Sequence, residues 1–403
     1  MLNTCIEAVD LLLDAIYSTG ERHQLLSEFG IHEPNSPIWS STTGTSIYIR
    51  NEKTYLKAVF YIKQNGVPYL SELPISKLKS QVTQFLIENF WYIRDGEFSR
   101  NPNLSYKLQI PCDAKLQLAK ALLTSPLFKA TQKIFLYPFN SIHTESNLRL
   151  QNFFIVNSSN LSLEDLNISS SYSQQFNFNY YPSLIDNQIN QKRISTWIGI
   201  YAPTEEISQR ILYALLGVIS LFEDSEKRYC FNGEPKDSGC SYFPDDYQYT
   251  CKETVDLLPS LYFKLKIGNE LSIHLNNISN FMSSINNESE RYILALTNFY
   301  KSWFEQEAGQ YRTLCTCIES LIEDTRTKSS QKFKNLCLQY SNKFDSNQLS
   351  HLLNIRGSIV HGKAPHLSDS SYYDSYLETY LSEPLTDLLN IVEIVLKSHI
   401  FRQ

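Results

Sequence analysis

Two side chains near the C-terminus, Arg356 and His361, have the types and the spacing to act on one ligand. They lie in the stretch Leu349-Ser350-His351-Leu352-Leu353-Asn354-Ile355-Arg356-Gly357-Ser358-Ile359-Val360-His361-Gly362-Lys363. Leu349, Leu352, Leu353, Arg356 and Val360 recur at three-and-four spacing, which predicts one helix face with the only cation of that helix on its apolar stripe. A guanidinium drawn toward a core must meet an anion, reach the edge along its own stem, or line a cleft that uses its charge. Gly362, directly after His361, is suited to ending the helix. Five residues turn an ideal helix by about 140°, so the two side chains do not stack, yet a long arginine near a helix end can converge on an imidazole. With thirteen arginines and eight histidines in the chain, a bare Arg-to-His spacing arises by chance about once. The residues around the pair therefore have to carry the reading.

The string Asn354-Ile355-Arg356-Gly357-Ser358-Ile359-Val360-His361-Gly362 resembles the Arg-x4-6-His signature of HEPN domains. It is most similar to the Apea-like branch, where an Arg-Ser-Lys-Ile-Val-His-Gly type of string is typical. Ile318-Glu319-Ser320-Leu321 sits where such domains carry a helical glutamate, and the resemblance covers roughly the last 115 residues. The chain departs from the pattern at Gly357, where the family favours a polar side chain.

The resemblance implies an all-α bundle and a metal-independent endoribonuclease that needs no cofactor, in which the RNA's own 2'-hydroxyl attacks the adjacent phosphorus. It also implies a homodimer of bundles with the two motifs facing. Under that reading His361 moves a proton, since an imidazole with an unperturbed pKa of about 6.5 serves as donor or acceptor near neutral pH. Arg356 holds the phosphate and its developing charge through forked donors, Glu319 anchors Arg356, and Lys363, Asn354 and Ser358 contact the substrate. The wider role implied is an RNA-cleaving effector in phage defence or a toxin-like system, with a phage-derived or protein trigger acting at the N-terminal region.

Plainer roles stay open from the residues alone. Arg356 and Glu319 can be a helix-to-helix ion pair, and His361 a C-terminal cap interacting with the helix dipole. The alternative function is a non-catalytic HEPN protein whose bundle binds RNA or dimerises. His351, His366 and His399 have no matching partner and read as structural. Tyr372, Tyr373, Tyr376 and Tyr380 read as packing rather than as a stacking platform for bases.

The elements that must position the pair are helices. Asn287 with Glu290 opens one whose face is Ile293, Leu296, Tyr300, Trp303 and Phe304; Tyr311 to Ile322 traces a second and Phe333 to Tyr340 a third. Leu349 to Val360 is the fourth, and Pro384 opens a fifth through Leu396. Short connections make neighbours antiparallel, so residues 286–403 form a helical bundle.

The preceding chain alternates differently. Residues 2–30 begin as a helix ended by Gly20 at the latest, a Ser/Thr-rich turn spans 40–46, and Ser46–Arg50 and Tyr55–Lys63 read as strands. Helices follow at Ser76–Ile93 and Asp113–Leu123, then strands at Lys133–Phe139, Leu148–Val156 and Ile194–Ala202, and a helix from Thr204 through Ser220. Asn157–Asn190 is Ser, Asn, Gln and Tyr rich, which suits a long loop or a variable insertion more than a core element, although aromatics recur within it. Gly, Pro, Asp and Tyr between Tyr229 and Thr250 mark a connector, and Leu257–Phe281 mixes helical and extended signals. The fold class is thus α+β: a mixed sensing or regulatory region over 1–228, a connector over 229–285, and the bundle.

Whole-chain composition narrows the function classes. A chain of 403 residues with 42% hydrophobic content, 26 Tyr and 22 Phe is globular and large enough for two or three cores. The formal net charge of -6 argues against a sequence-blind nucleic-acid coat. Charge is nonetheless uneven: Arg291–Lys363 carries ten Lys/Arg against six Asp/Glu, and Ala364–Gln403 two against six. Eight scattered cysteines without a Cys-x-x-Cys pair predict reduced thiols, and the gaps among Cys230, Cys240 and Cys251 are too wide and irregular for a zinc site. The acidic N-terminus does not read as a signal peptide, and the longest apolar run, Ile211–Phe222, is too short to span a bilayer. A soluble cytoplasmic protein without a membrane partner or a metal site is expected. No Gly-rich phosphate loop, zinc helix or serine elbow appears in the sequence.

Overall fold

The computed structural model describes residues 1–18, 24–31, 44–96, 99–129, 132–166, 168, 175–185, 191–222, 239–245, 248–252, 265–283, 287–323 and 328–402. The chain divides into two units, Met1–Thr131 and Gln132–Gln403. The boundaries expected after 228 and after 285 both fall inside the second.

The first unit runs α1 (Leu2–Ala15), β1 (Ile16–Tyr17), β2 (Gln24–Gly30), β3 (Gly44–Ile49), α2 (Glu52–Asn65), α3 (Ile75–Glu88), the single turn α4 (Tyr106–Gln109) and α5 (Cys112–Thr124). Its three strands pair antiparallel in the order β1-β3-β2, and its helices close over buried Val9, Leu12, Tyr55, Ile62, Val82 and Leu118. Tyr55–Lys63, expected as a strand, is helical. Tyr55, Ala58, Val59 and Ile62 are the buried positions and keep helical spacing, while the Asn51 side chain accepts from the N–H groups of Lys53 and Thr54 to open α2. Burying one helix face outweighs the strand preference of the individual residues, which is weak and context-dependent. Residues 40–43 of the expected turn lie outside the described residues, and 44–46 open β3.

The second unit begins with β4 (Lys133–Phe139), β5 (Ile142–Thr144), β6 (Leu148–Arg149), β7 (Phe153–Asn157), β8 (Tyr180–Tyr181), β9 (Lys192–Arg193) and β10 (Thr196–Ala202). α6 (Glu205–Leu221), β11 (Cys240–Asp245), β12 (Gln248–Lys252), β13 (Leu265–Ile267) and α7 (Asn269–Ser283) follow. The chain then becomes wholly helical: α8 (Asn287–Ser302), α9 (Glu307–Leu321), α10 (Ser329–Tyr340), α11 (Ser346–Val360), α12 (Ser371–Tyr380) and α13 (Pro384–Phe401). The protein is α+β with a helical C-terminal part. Among the described residues no helix is long and apolar enough to cross a membrane.

An antiparallel six-stranded sheet, ordered β12-β11-β4-β10-β7-β6, organises this unit. Side chains alternate between its faces, as strands require. Phe135, Tyr137, Phe153, Ile155, Ile198 and Ile200 join α6 and the C-terminal helices in one core. Leu136, Phe154, Val156 and Trp197 point the other way.

That second face is covered by the segment expected as a long loop. Its Leu161, Leu163, Leu166, Ile168, Phe178 and Tyr181 are buried on the sheet, and Trp197 Nε1 donates to the Phe178 carbonyl at 2.7 Å. Residues 167, 169–174 and 186–190 of that segment lie outside the described residues. The expected connector also differs. Cys240–Asp245 and Gln248–Lys252 form a hairpin on β4, and Leu265–Ile267 pairs in parallel with β5. The aromatic and β-branched residues there, Tyr242, Phe243, Tyr249 and Thr250, outweigh the turn-forming residues around them. Residues 229–238, including Cys230, and 253–264 lie outside the described residues.

α8 packs on α6 at Gly217. A Cβ there would meet the main chain of Leu296, 2.8 Å from its carbonyl carbon and nearer still to the oxygen, inside the 3.0 Å that real Cβ atoms keep. The helices of the bundle and the sheet consequently share one apolar interior.

Candidate functional site

Local packing on α11 decides where each candidate side chain goes. Its buried positions are Leu349, Leu352 and Ile355, whereas Leu353 is half-buried and Val360 exposed. The apolar face is thus rotated from the expected one, because Ile355 and Ile359 offer a stripe of equal spacing. Arg356 sits on the flank of this face instead of within it. Tyr311 of α9, fully buried, donates to the Leu352 carbonyl at 2.9 Å and locks the two helices together one turn before Arg356.

Arg356 Nη2 donates to Glu319 Oε2 at 2.7 Å across the α9–α11 contact. The two side chains retain 29% and 20% exposure, so the pair is largely desolvated but reachable. Its Nε is buried with no hydrogen-bond partner among the described residues. One turn before Glu319 on α9 lies Cys315, whose thiol is raised by burial, Arg356 opposing and Glu319 adding to the shift. The thiol therefore stays protonated and forms a wall of the pair rather than a nucleophile.

His361 occupies the C-cap of α11 and is exposed. Gly362 adopts the left-handed conformation at φ +68°, its N–H donates to the Ile359 carbonyl at 3.0 Å, and the Lys363 N–H donates to the Ser358 carbonyl at 2.9 Å. These two bonds are a Schellman ending, which fixes the backbone at the point where the imidazole leaves the helix. Asn354, His361 and Lys363 are exposed, and Ser358 is half-buried with its hydroxyl donating to the Asn354 carbonyl at 3.3 Å. Lys334 Nζ donates to Ser350 Oγ at 3.2 Å, one turn N-terminal to Asn354.

The candidates thus form two groups. Arg356 and Glu319 are joined, while His361, Asn354, Ser358 and Lys363 lie on the solvent side of the same helix. His361 makes no hydrogen bond or ion pair with Arg356 or Glu319 among the described residues.

Gly357 lies between the groups in open space, with nothing within 4 Å of a Cβ built there. Gly357→Ala is accordingly expected to raise stability by about 0.5–1 kcal/mol, the gain of replacing a helix-interior glycine. Chemical denaturation reads it, and a lowered midpoint would mean that space is filled.

His351, His366 and His399 are partnered. His351 lies edge-on to Tyr372 and Tyr380, with Nε2 3.2 Å from Ser375 Oγ. His399 Nδ1 is 2.9 Å from the Tyr340 hydroxyl, and burial lowers its pKa. His366 faces Glu307 at 3.4 Å. Tyr376 is fully buried and donates to Asp387 Oδ2 at 2.7 Å, which leaves no face for a base. Sequence reasoning missed this Asp387 centre, which also accepts from Gln348 at 3.1 Å and from Ser382. Neither the spacing of these residues nor their types signals that they meet.

Among the described residues no three His, Cys, Asp or Glu side chains gather in a way that could hold a metal ion. Compared with family models, curated proteins and solved structures, the chain matches none.

Proposed function

We propose that the helical part of this protein is a metal-independent endoribonuclease of the HEPN type, acting as an antiviral or toxin-like effector in the cytoplasm. The observation that carries this reading is the Arg356–Glu319 pair at 2.7 Å, largely desolvated but still reachable from solvent, on the helix that ends in an exposed His361. A glutamate that fixes one end of a guanidinium orients those of its donors that stay solvent-accessible for a phosphate. His361 on its Schellman ending is placed to exchange a proton with a ribose hydroxyl or a leaving oxygen, and Lys363 adds positive charge beside it. Because His361 and Arg356 leave α11 on different sides, the complete centre needs a second copy of the bundle in a homodimer. The first unit is assigned the sensing of a phage-derived or protein trigger.

The test uses the full chain. Total RNA incubated with it in EDTA is expected to yield fragments ending in 2',3'-cyclic phosphate. Intact RNA at every protein concentration and with every trigger supplied, or cleavage that EDTA abolishes, removes the nuclease reading. The separation of His361 from Arg356 within one chain favours a second reading, a non-catalytic module that binds RNA or dimerises. RNA retention without cleavage supports it.

A further inference from the structure

A polar cleft of about 550 Å³ opens at one end of the sheet, far in sequence from the motif helix. β4 ends there at Phe139, β7 ends at Asn157 and β10 begins at Thr196. Its floor is built by main-chain bonds: Ser158 N–H to the Ser195 carbonyl at 2.9 Å, Ser195 N–H to the Phe139 carbonyl at 2.8 Å, and Ile194 N–H to the Asn179 carbonyl at 3.0 Å. The volume falls within the usual range for small-ligand sites.

Its walls offer donors. The side-chain oxygen of Asn157 is occupied, accepting from Ser159 N–H at 3.1 Å and Ser159 Oγ at 2.8 Å, which leaves its Nδ2 without a partner among the described residues. Asn179 turns its Oδ1 toward the Ser158 hydroxyl at 3.2 Å, so its Nδ2 is likewise unspent. Arg193 also lines the cleft, is exposed, and has no ion pair among the described residues. Among the described residues no carboxylate lines the cleft, and its one ring is the His143 imidazole. A guanidinium and two spare amides, with no acid among the described lining residues, select oxyanions. With one imidazole as its only ring among the described residues and amide and hydroxyl side chains lining most of it, the cleft suits a hydroxyl-rich ligand rather than a base.

We propose that this cleft binds a small sugar phosphate, Arg193 taking the phosphate through its fork while Asn157 and Asn179 donate to phosphate or hydroxyl oxygens. The assignment is independent of RNA cleavage and is read by binding alone.

Titration calorimetry and thermal melting of the full chain test it, with ribose 5-phosphate, glucose 6-phosphate, inorganic phosphate, unphosphorylated glucose and glucuronate as probes. At least one sugar phosphate is expected to bind one per chain and raise the melting temperature, with glucose and glucuronate at least about tenfold weaker. Arg193→Glu, on an exposed position, is expected to keep the circular dichroism spectrum and weaken binding more than about tenfold, since the charge and the fork are both lost. Asn179→Ala weakens it by less. Absence of binding by both sugar phosphates at millimolar concentration overturns the proposal, as does binding that Arg193→Glu leaves intact. Glucuronate binding as tightly as the phosphates would make the cleft a carboxylate site and also overturn it.

Discussion

Cleavage of RNA by the His361→Ala protein is expected to fall by about two to four orders of magnitude, the usual contribution of a positioned general acid or base, with the melting temperature unchanged. The imidazole is exposed and makes no hydrogen bond among the described residues, so its removal leaves the end of α11 intact. Arg356→Ala is expected to abolish cleavage as well but also to lower stability by about 1–2 kcal/mol, because Glu319 keeps its charge at a largely desolvated position without a partner. Arg356→Lys retains the charge and loses the fork, so it recovers the stability more than the activity. Measured side by side, the three variants separate chemistry from folding. Wild-type cleavage in His361→Ala would contradict the proposed role of the imidazole, and loss of cleavage that tracks melting temperature across the series would assign Arg356 to structure alone.

The other large effect concerns Gly217. Gly217→Ala is expected to destabilise the second unit by about 3 kcal/mol, even though alanine is the better helix former by about 1 kcal/mol. The added methyl meets main-chain atoms of Leu296, which cannot swing aside as a side chain does. The two helices must separate, and the buried residues on both sides lose contact. Thermal unfolding is expected to show the midpoint lower by about 6 °C for a unit of this size. A midpoint that rises instead would show that α6 and α8 stand further apart. A single residue type thus has opposite consequences at 217 and at 357, set by what each position faces.

Much of the helical half was legible because its periodicity is long and its ends are marked. Asn287, Pro384 and Gly362 stand at ends of α8, α13 and α11, and Leu349 and Leu352 are buried as their spacing implies. Which of two equally spaced stripes on α11 would be buried was not legible, since that choice belongs to the partners Tyr311 and Glu319 on α9. At Tyr55–Lys63 the individual residues favour a strand while the spacing of Tyr55, Ala58, Val59 and Ile62 is helical, and the spacing prevails. In the sheet, β4, β7 and β10 were recognisable as apolar runs. The covering segment and the β11–β12 hairpin were not, because Ser, Asn, Asp and Gly dominate their composition while a few aromatics do the packing. Of the candidate site, the Arg356–Glu319 pair was legible from a resemblance of motif. The polar cleft around Arg193 had no sequence signal, as its residues come from four separate segments, 140–143, 157–159, 179 and 193–195, brought together by strand pairing and by main-chain bonds at the strand ends.

The common interior of sheet and helices bears on how the protein comes apart. With Ile198 and Ile200 of the central strand in the same apolar cluster as Leu352 and Ile355 of α11, neither half has a boundary along which water can enter first. The second unit should melt as one cooperative block, so occupancy at the sheet's open end would be felt as slower opening of the amides around Arg356.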